Sequence, residues 1–368
     1  MTRRLARDPA RCCLPLAEWP ASDRALWQAA LTPGDLLEPG GARAGYAAIT
    51  NRHVAGGYGR WLAWGRHAGP LDESQPPAAR ITRQAVAAYL SALAGHNGTL
   101  TRVSRLEELY QAARIMDPEA DWGWIRRLAG RVRSRHVPVR DKHPRLVGAD
   151  DLADLGHRLM DSAAAQTTPR RQATRYRDGL VIALLAARPL RRRNLAGLQL
   201  GQHVIRHGAA WRLEVPGAET KTGSPIEWLW PEALIPGLET YLAVHRPILC
   251  AQRSRWTRPV GEALWVSGGG SPMTGIALYD RIIGHTRAAF GRSVNPHLFR
   301  DCAATTVAIE DPGHIGIAAT LLGHRSQAST ERYYNQARSV EAVRQLQAVL
   351  IGLRHGTLAS PADAEEIA

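Results

Sequence analysis

Apolar positions recur every three to four residues through most of the chain, and one stretch of short alternating runs interrupts them. "DRALWQAAL" (23–31) and "YAAITNRHVAGGYGRWLAWGRHAG" (46–69) have helical spacing, the second broken at Gly56 and Gly57. "ITRQAVAAYLSALAG" (81–95) ends on a glycine, a common helix stop. "TLTRVSRLEELYQAARIMDP" (99–118) places Val103, Leu106, Tyr110 and Ala113 on one face. "DWGWIRRLAGRVRSR" (121–135) follows with its arginines turned outward.

The segment "RHVPVRDKHPRLVGADD" (135–151) carries two prolines and a charge cluster without periodicity, and reads as a linker. It separates a helical module, 1–140, from a second domain, 141–355, and residues 356–368 read as a flexible tail. The second domain opens with helical patterns, "ADDLADLGHRLMDSAAA" and "TRYRDGLVIALLAA". Then come β-prone runs, "QHVIRH" (202–207), "AWRLEVP" (210–216) and "IEWLWP" (226–231). Helical spacing returns in "EALIPGLETYLAVH" and "GIALYDRIIGHTRAAF", and ends with an amphipathic "VEAVRQLQAVLIGL" (340–353). The pattern predicts a mostly α fold with a small antiparallel β-sheet (α+β), in two domains.

Composition adds a direction. The chain has 368 residues, 45% hydrophobic and 22% charged, enough for two globular cores. Its longest apolar run, "LVIALLAA" (180–187), falls well short of the ~20 residues a membrane helix needs. The basic N-terminus is broken by Pro15 and Glu18, which argues against a secretory signal. Cys12, Cys13, Cys250 and Cys302 show no metal-ligand spacing, so a reducing cytoplasm and no metal are expected. "SGGGSP" (267–272) lacks the Gly-Lys-Ser/Thr of a nucleotide loop and reads as flexible, so no cofactor is expected. The net charge of +14 favours a polyanionic partner, of which nucleic acid is the usual one.

Of the 47 basic residues only Lys142 and Lys221 are lysines. An ammonium can give up a proton near neutral pH in suitable surroundings, and a guanidinium cannot. Lys221 lies in the turn "AETKTGSP" between two predicted strands. In "NPHLFRDCAATT", Asn295 suits an N-cap and Pro296 a first helical position. His297 and Arg300 then share the face of a first turn. They suit an anion there, or are incidental on a surface helix; the motif alone leaves both open. "TLLGHRSQASTERYYNQA" ends one helix at Gly323, places His324 next, and carries Tyr333 and Tyr334 on the following helix. A tyrosine is a nucleophile only with electrostatic help, and taken singly each tyrosine reads as a packing residue. Arg191, Arg192 and Arg193 sit at a break in the helical pattern after Pro189.

In order, an arginine, a hairpin lysine, His-x-x-Arg, Leu-Gly-His and a tyrosine resemble the tyrosine recombinases, or phage integrases. The resemblance spans roughly 146–337, and Tyr333 follows His324 by nine residues, the family's usual interval. It implies a core-binding domain at 1–140 that clamps DNA and a tyrosine-recombinase-like catalytic domain at 141–355. Arg191 matches the first catalytic arginine, Lys221 the hairpin lysine, and His297 with Arg300 the His-x-x-Arg pair. His324 matches the histidine after Leu-Gly, and Tyr333 the nucleophile, with the adjacent Tyr334 as fallback. Asn194 and Asp301 depart from the family, which often has a carboxylate at the first position and a basic residue at the second.

The resemblance implies cleavage and rejoining of double-stranded DNA through a 3′-phosphotyrosine bond, without metal or ATP. It also implies a homo-tetramer on synapsed DNA in the cytoplasm, at the nucleoid, with accessory DNA-bending proteins as a further partner class. Two other functions stay open. One is type IB topoisomerase-like relaxation, and the other is a DNA-binding or directionality protein of this fold with impaired chemistry.

Overall fold

The computed structural model describes residues 8–69, 71–137, 143–254 and 258–310. His324, Tyr333, Tyr334, Lys142, the helix expected at 340–353 and the tail lie outside the described residues. The chain divides into two compact units, Met1–Arg140 and Asp141–Ala368.

The first unit is helical: α1 (Ala21–Leu31), α2 (Ala48–Ala68), α3 (Arg83–Ala94), α4 (Thr99–Met116) and α5 (Gly123–Ser134). Aromatic side chains dominate its core, where Trp27, Tyr58, Trp61 and Tyr89 pack with Leu62, Leu106 and Ile125. One charge is buried with them. Asp23 accepts hydrogen bonds from Arg80 Nη2 at 2.7 Å, Arg80 Nη1 at 3.1 Å and Tyr58 Oη at 2.7 Å. Burial, then the adjacent carboxylate, pushes the Tyr58 phenol well above its ordinary value, so it stays a donor.

α2 runs unbroken through Gly56 and Gly57, where the sequence pattern predicts an interruption. The reason is packing. A Cβ at Gly57 would lie 2.3 Å from Cβ of Glu108 on α4, so the glycine lets the two helices approach. On α5, Ile125 and Ala129 are buried while Arg126, Arg127, Arg131 and Arg133 are exposed, as the spacing predicts.

The second unit begins with α6 (Ala149–Asp161), α7 (Pro169–Ala187) and the short α8 (Arg192–Ala196). Thr168 caps α7 by accepting from Arg171 N, and Pro169 occupies the first turn, where no N–H partner is needed. The sheet comprises β1 (Val204–His207), β2 (Ala210–Val215) and β3 (Ile226–Leu229), antiparallel in sequence order. Val204 pairs with Leu213, which pairs with Trp228. Trp211, Leu213 and Val215 alternate inward from β2 onto the core. The fold is therefore mostly α with a small antiparallel sheet.

α9 (Ile235–Thr240) and α10 (Arg246–Cys250) follow, then α11 (Gly275–Phe290) and α12 (Pro296–Glu310). The sequence predicts one helix over 232–245, where α9 and the π turn after it stand. That turn, Tyr241–His245, separates α9 from α10, because Pro247 has no N–H for the α-helical ladder. Ser267–Pro272, expected to be flexible, forms a closed turn. Ser267 N donates to Ser271 O at 2.7 Å, and Ser267 Oγ accepts from Ser271 N at 3.1 Å.

α12 packs on α6 and α7, and the start of the unit is stitched to it and to the residues just before it. Arg145 Nη2 donates to Ser293 O at 2.7 Å, and Arg292 Nη1 to Pro144 O at 2.9 Å. Val147 N reaches Cys302 Sγ at 3.5 Å, and Ala149 N donates to Thr306 Oγ1 at 3.1 Å.

Candidate functional site

Three segments of the second unit carry the described candidate residues. The first is the α7–α8 connection. α7 ends at Ala187, Pro189 prevents its continuation, and Arg191 becomes the N-cap residue of α8 with extended backbone. Arg191 is half-buried, whereas Arg192 and Arg193 are exposed. Arg192 lies over the ring of Tyr279 on α11, 5.6 Å from its centroid.

The second segment is the first turn of α12. Asn295 caps it, its Oδ1 accepting from His297 N at 3.0 Å and Leu298 N at 3.1 Å. His297 is exposed at this N-terminus, while Arg300 is only 6% exposed. Arg300 Nη1 donates to the carbonyl of Pro189 at 2.6 Å. The second candidate arginine therefore touches backbone two residues before the first. Asp301 is buried beside it on α12, and its carbonyl accepts from Thr305 Oγ1 at 2.8 Å.

The third segment joins β2 to β3 and holds Lys221, which is exposed. This loop closes on itself. Thr220 Oγ1 donates to Gly217 O at 3.1 Å and Ser224 O at 2.8 Å. Gly223 has a φ of 74°, and a Cβ on Gly217 would lie 2.4 Å from the Gly223 carbonyl oxygen, so both need glycine. Asn194 of α8, itself buried, donates from Nδ2 to the carbonyl of Glu219 at 3.3 Å. The Glu219 carboxylate lies 3.2 Å from Nε2 of buried His203, whose Nδ1 accepts from Gln199 N at 3.1 Å.

Arg191, Lys221 and Arg300 thus sit on segments joined by direct hydrogen bonds, with His297 one helical turn before Arg300. His324 and Tyr333, with the fallback Tyr334, are not described. Among the described residues, no group of three His, Cys, Asp or Glu side chains is arranged to hold a metal ion. None of the described helices is long and apolar enough to cross a membrane.

A buried ionic cluster in the same unit has no counterpart among the sequence-based expectations. Asp178 on α7, 2% exposed, accepts from Arg177 Nη2 at 2.5 Å, Arg281 Nε at 2.6 Å and lies 2.9 Å from His285 Nε2. Arg177 also donates to Val266 O at 2.5 Å. Burial pushes the Asp178 carboxyl up, but Arg177, the His285 hydrogen bond and Arg281 outweigh it and hold the pKa well below the carboxylate range. The cluster ties α7, which leads to Arg191, to α11. Its only sequence signal is a charged dipeptide directly ahead of the apolar run of α7.

No protein-family profile and no curated protein matches the sequence. Solved structures do. The XerH site-specific recombinase bound to a palindromic difH substrate, in a post-cleavage complex, aligns with a TM-score of 0.56 at 14% identity. That alignment covers 83% of this chain and 82% of that one. XerH in a pre-cleavage complex with difH substrate gives 0.53 at 15% identity, over 80% and 79%. A XerA recombinase also aligns, with a TM-score of 0.39 at 16% identity over 83% and 94%. At such identity the likeness speaks to backbone architecture, and the chain has the tyrosine-recombinase fold.

Proposed function

We propose that the chain is a site-specific DNA recombinase that cleaves and rejoins strands through a 3′-phosphotyrosine bond. The observation that carries this reading is the Arg300–Pro189 hydrogen bond, which joins the segments bearing the two arginines. The XerH complexes hold DNA substrates, and the basic surface of this chain suits the same kind of partner.

Attack at a phosphodiester builds negative charge on the non-bridging oxygens. The planar forks of Arg191 and Arg300 bind those oxygens and stabilise the charge. His297 and His324 position the phosphate and carry protons. Tyr333, or Tyr334 in its place, attacks phosphorus. Its bond forms as the P–O5′ bond breaks, and Lys221 gives its proton to the departing oxygen. The phosphotyrosine keeps the ester energy, so a 5′-hydroxyl from a second duplex reverses the step without ATP. Exchange between two duplexes requires four active sites, hence a tetramer on DNA. Residues 1–140 act as the core-binding domain and 141–355 as the catalytic domain.

The test is covalent capture. The full chain is incubated with a library of nicked duplexes, denatured, and resolved on a gel, and DNA attached to protein is sequenced. The expected result is a shifted adduct on one recurrent sequence, abolished by Tyr333→Phe, or by Tyr334→Phe for the fallback. Relaxation of any plasmid without exchange between two cognate duplexes would instead identify a topoisomerase. DNA binding with no adduct would identify a binding or directionality protein, the reading that Asn194 and Asp301 favour.

A further inference from the structure

Asn194 stands where related recombinases often carry a carboxylate, yet its amide faces an acceptor. We propose that Asn194, acting through the backbone carbonyl of Glu219, is the positioning residue that sets Lys221 against the leaving oxygen. The inference rests on the recombinase reading for its chemistry, but its structural half stands apart from it.

The geometry supplies the argument. The β2–β3 loop is closed by Thr220 and by the Gly217–Gly223 approach, so it moves as one piece. What aims such a piece is its attachment to neighbouring structure. Asn194 Nδ2 reaches Glu219 O at 3.3 Å, two residues before Lys221 and three after Arg191 on α8. A carboxylate at this position has no hydrogen to donate, so an acidic side chain would repel the carbonyl that Asn194 holds. The Glu219 carboxylate lies 3.2 Å from His203 Nε2. His203 is fixed in turn, because its Nδ1 accepts from Gln199 N. The hydrogen bond from α8 to the Glu219 backbone thus anchors the loop, and the Glu219 side chain lies close to His203, the residue before β1. Lys221 itself is exposed, two residues after the anchored Glu219.

The chain carries only two lysines, which allows a direct test. Reductive methylation with ¹³C-formaldehyde gives each lysine a dimethylammonium signal, and Lys142→Arg assigns the pair. In Asn194→Ala and in Asn194→Asp, the Lys221 signal moves to the narrow, averaged position of an unfolded control while Lys142 stays in place. An unchanged Lys221 signal in both variants overturns the proposal, whatever the protein does to DNA.

The second readout uses nicked duplexes of the captured sequence. One set has the natural 5′-oxygen at the scissile bond and the other a bridging 5′-sulfur. A thiolate departs without a proton, since thiols ionise near pH 8.5. Asn194→Ala slows cleavage of the oxygen substrate about tenfold, the scale of one lost hydrogen bond, and leaves the sulfur substrate at the wild-type rate. Equal slowing of both substrates means that Asn194 only supports the fold, and overturns the proposal. If the wild-type chain forms no adduct with any DNA, the recombinase reading fails, and the lysine signals still decide whether Asn194 orders the loop.

Discussion

Arg300 donates from Nη1 to the carbonyl oxygen of Pro189 across 2.6 Å, joining α12 to a residue 111 positions earlier. The contact fixes the guanidinium plane as well as the spacing of the two chain segments. Arg300→Lys retains the charge but loses the planar fork. Single-turnover cleavage falls by about 10²- to 10³-fold, the usual loss for one oxyanion donor, while DNA affinity stays within about threefold. Adduct formation against time, with a parallel gel-shift titration, checks both.

Lys221→Arg separates charge from proton donation. The variant binds DNA with the wild-type salt dependence, because one cation replaces another. Its cleavage rate drops by about 10²-fold or more, the contribution of a placed general acid. Near-normal cleavage of a nicked duplex would remove Lys221 from the mechanism.

The Asp178 cluster predicts a sign for acid denaturation. Its folded pKa lies below the unfolded value of ~3.9, so the stability it contributes is whole above that pH and drains away as pH falls towards the folded value. Asp178→Asn leaves Arg177 buried without its counter-ion and costs about 3–5 kcal/mol at pH 7. The gap between wild type and variant narrows as pH falls below about 4. Urea unfolding at pH 7 and pH 3 measures it.

In the first unit, Arg80→Met strands the Asp23 carboxylate in an aromatic core where it is fully buried. The cost is about 3–5 kcal/mol, most of it recovered by adding Asp23→Asn. Tryptophan fluorescence reports the transition, since Trp19 lies between Asp23's partner Tyr58 and Trp27, in ring contact with both.

Helical periodicity, the strand triplet and the Asn295 cap were all legible in the sequence because each is a local rule, a spacing or a cap satisfied within a few residues. α11 matches its apolar pattern, and α12 begins where Asn295 and Pro296 place it. Tertiary contacts explain what was misread. Gly57 looks like a breaker until Glu108 arrives from another helix, and the glycines of 267–272 look loose until Ser267 closes them. The candidate residues were legible only as an ordered set. That Arg300 would rest on Pro189, or that Asn194 would reach Glu219, depends on how helices and a loop distant in sequence come together, which no local pattern encodes.

The stitching of Pro144–Ala149 to α12 and the residues just before it bears on how the polypeptide is made. Ala149 waits for a hydroxyl 157 residues downstream, and Val147 for a thiol 155 residues downstream. A chain leaving the ribosome N-terminus first leaves open, throughout that interval, the parts of α6 and α7 that α12 covers, and closes over them only once Thr306 has cleared the exit tunnel. The core of the second unit therefore closes late in synthesis, whereas that of the first unit draws only on residues 14–132.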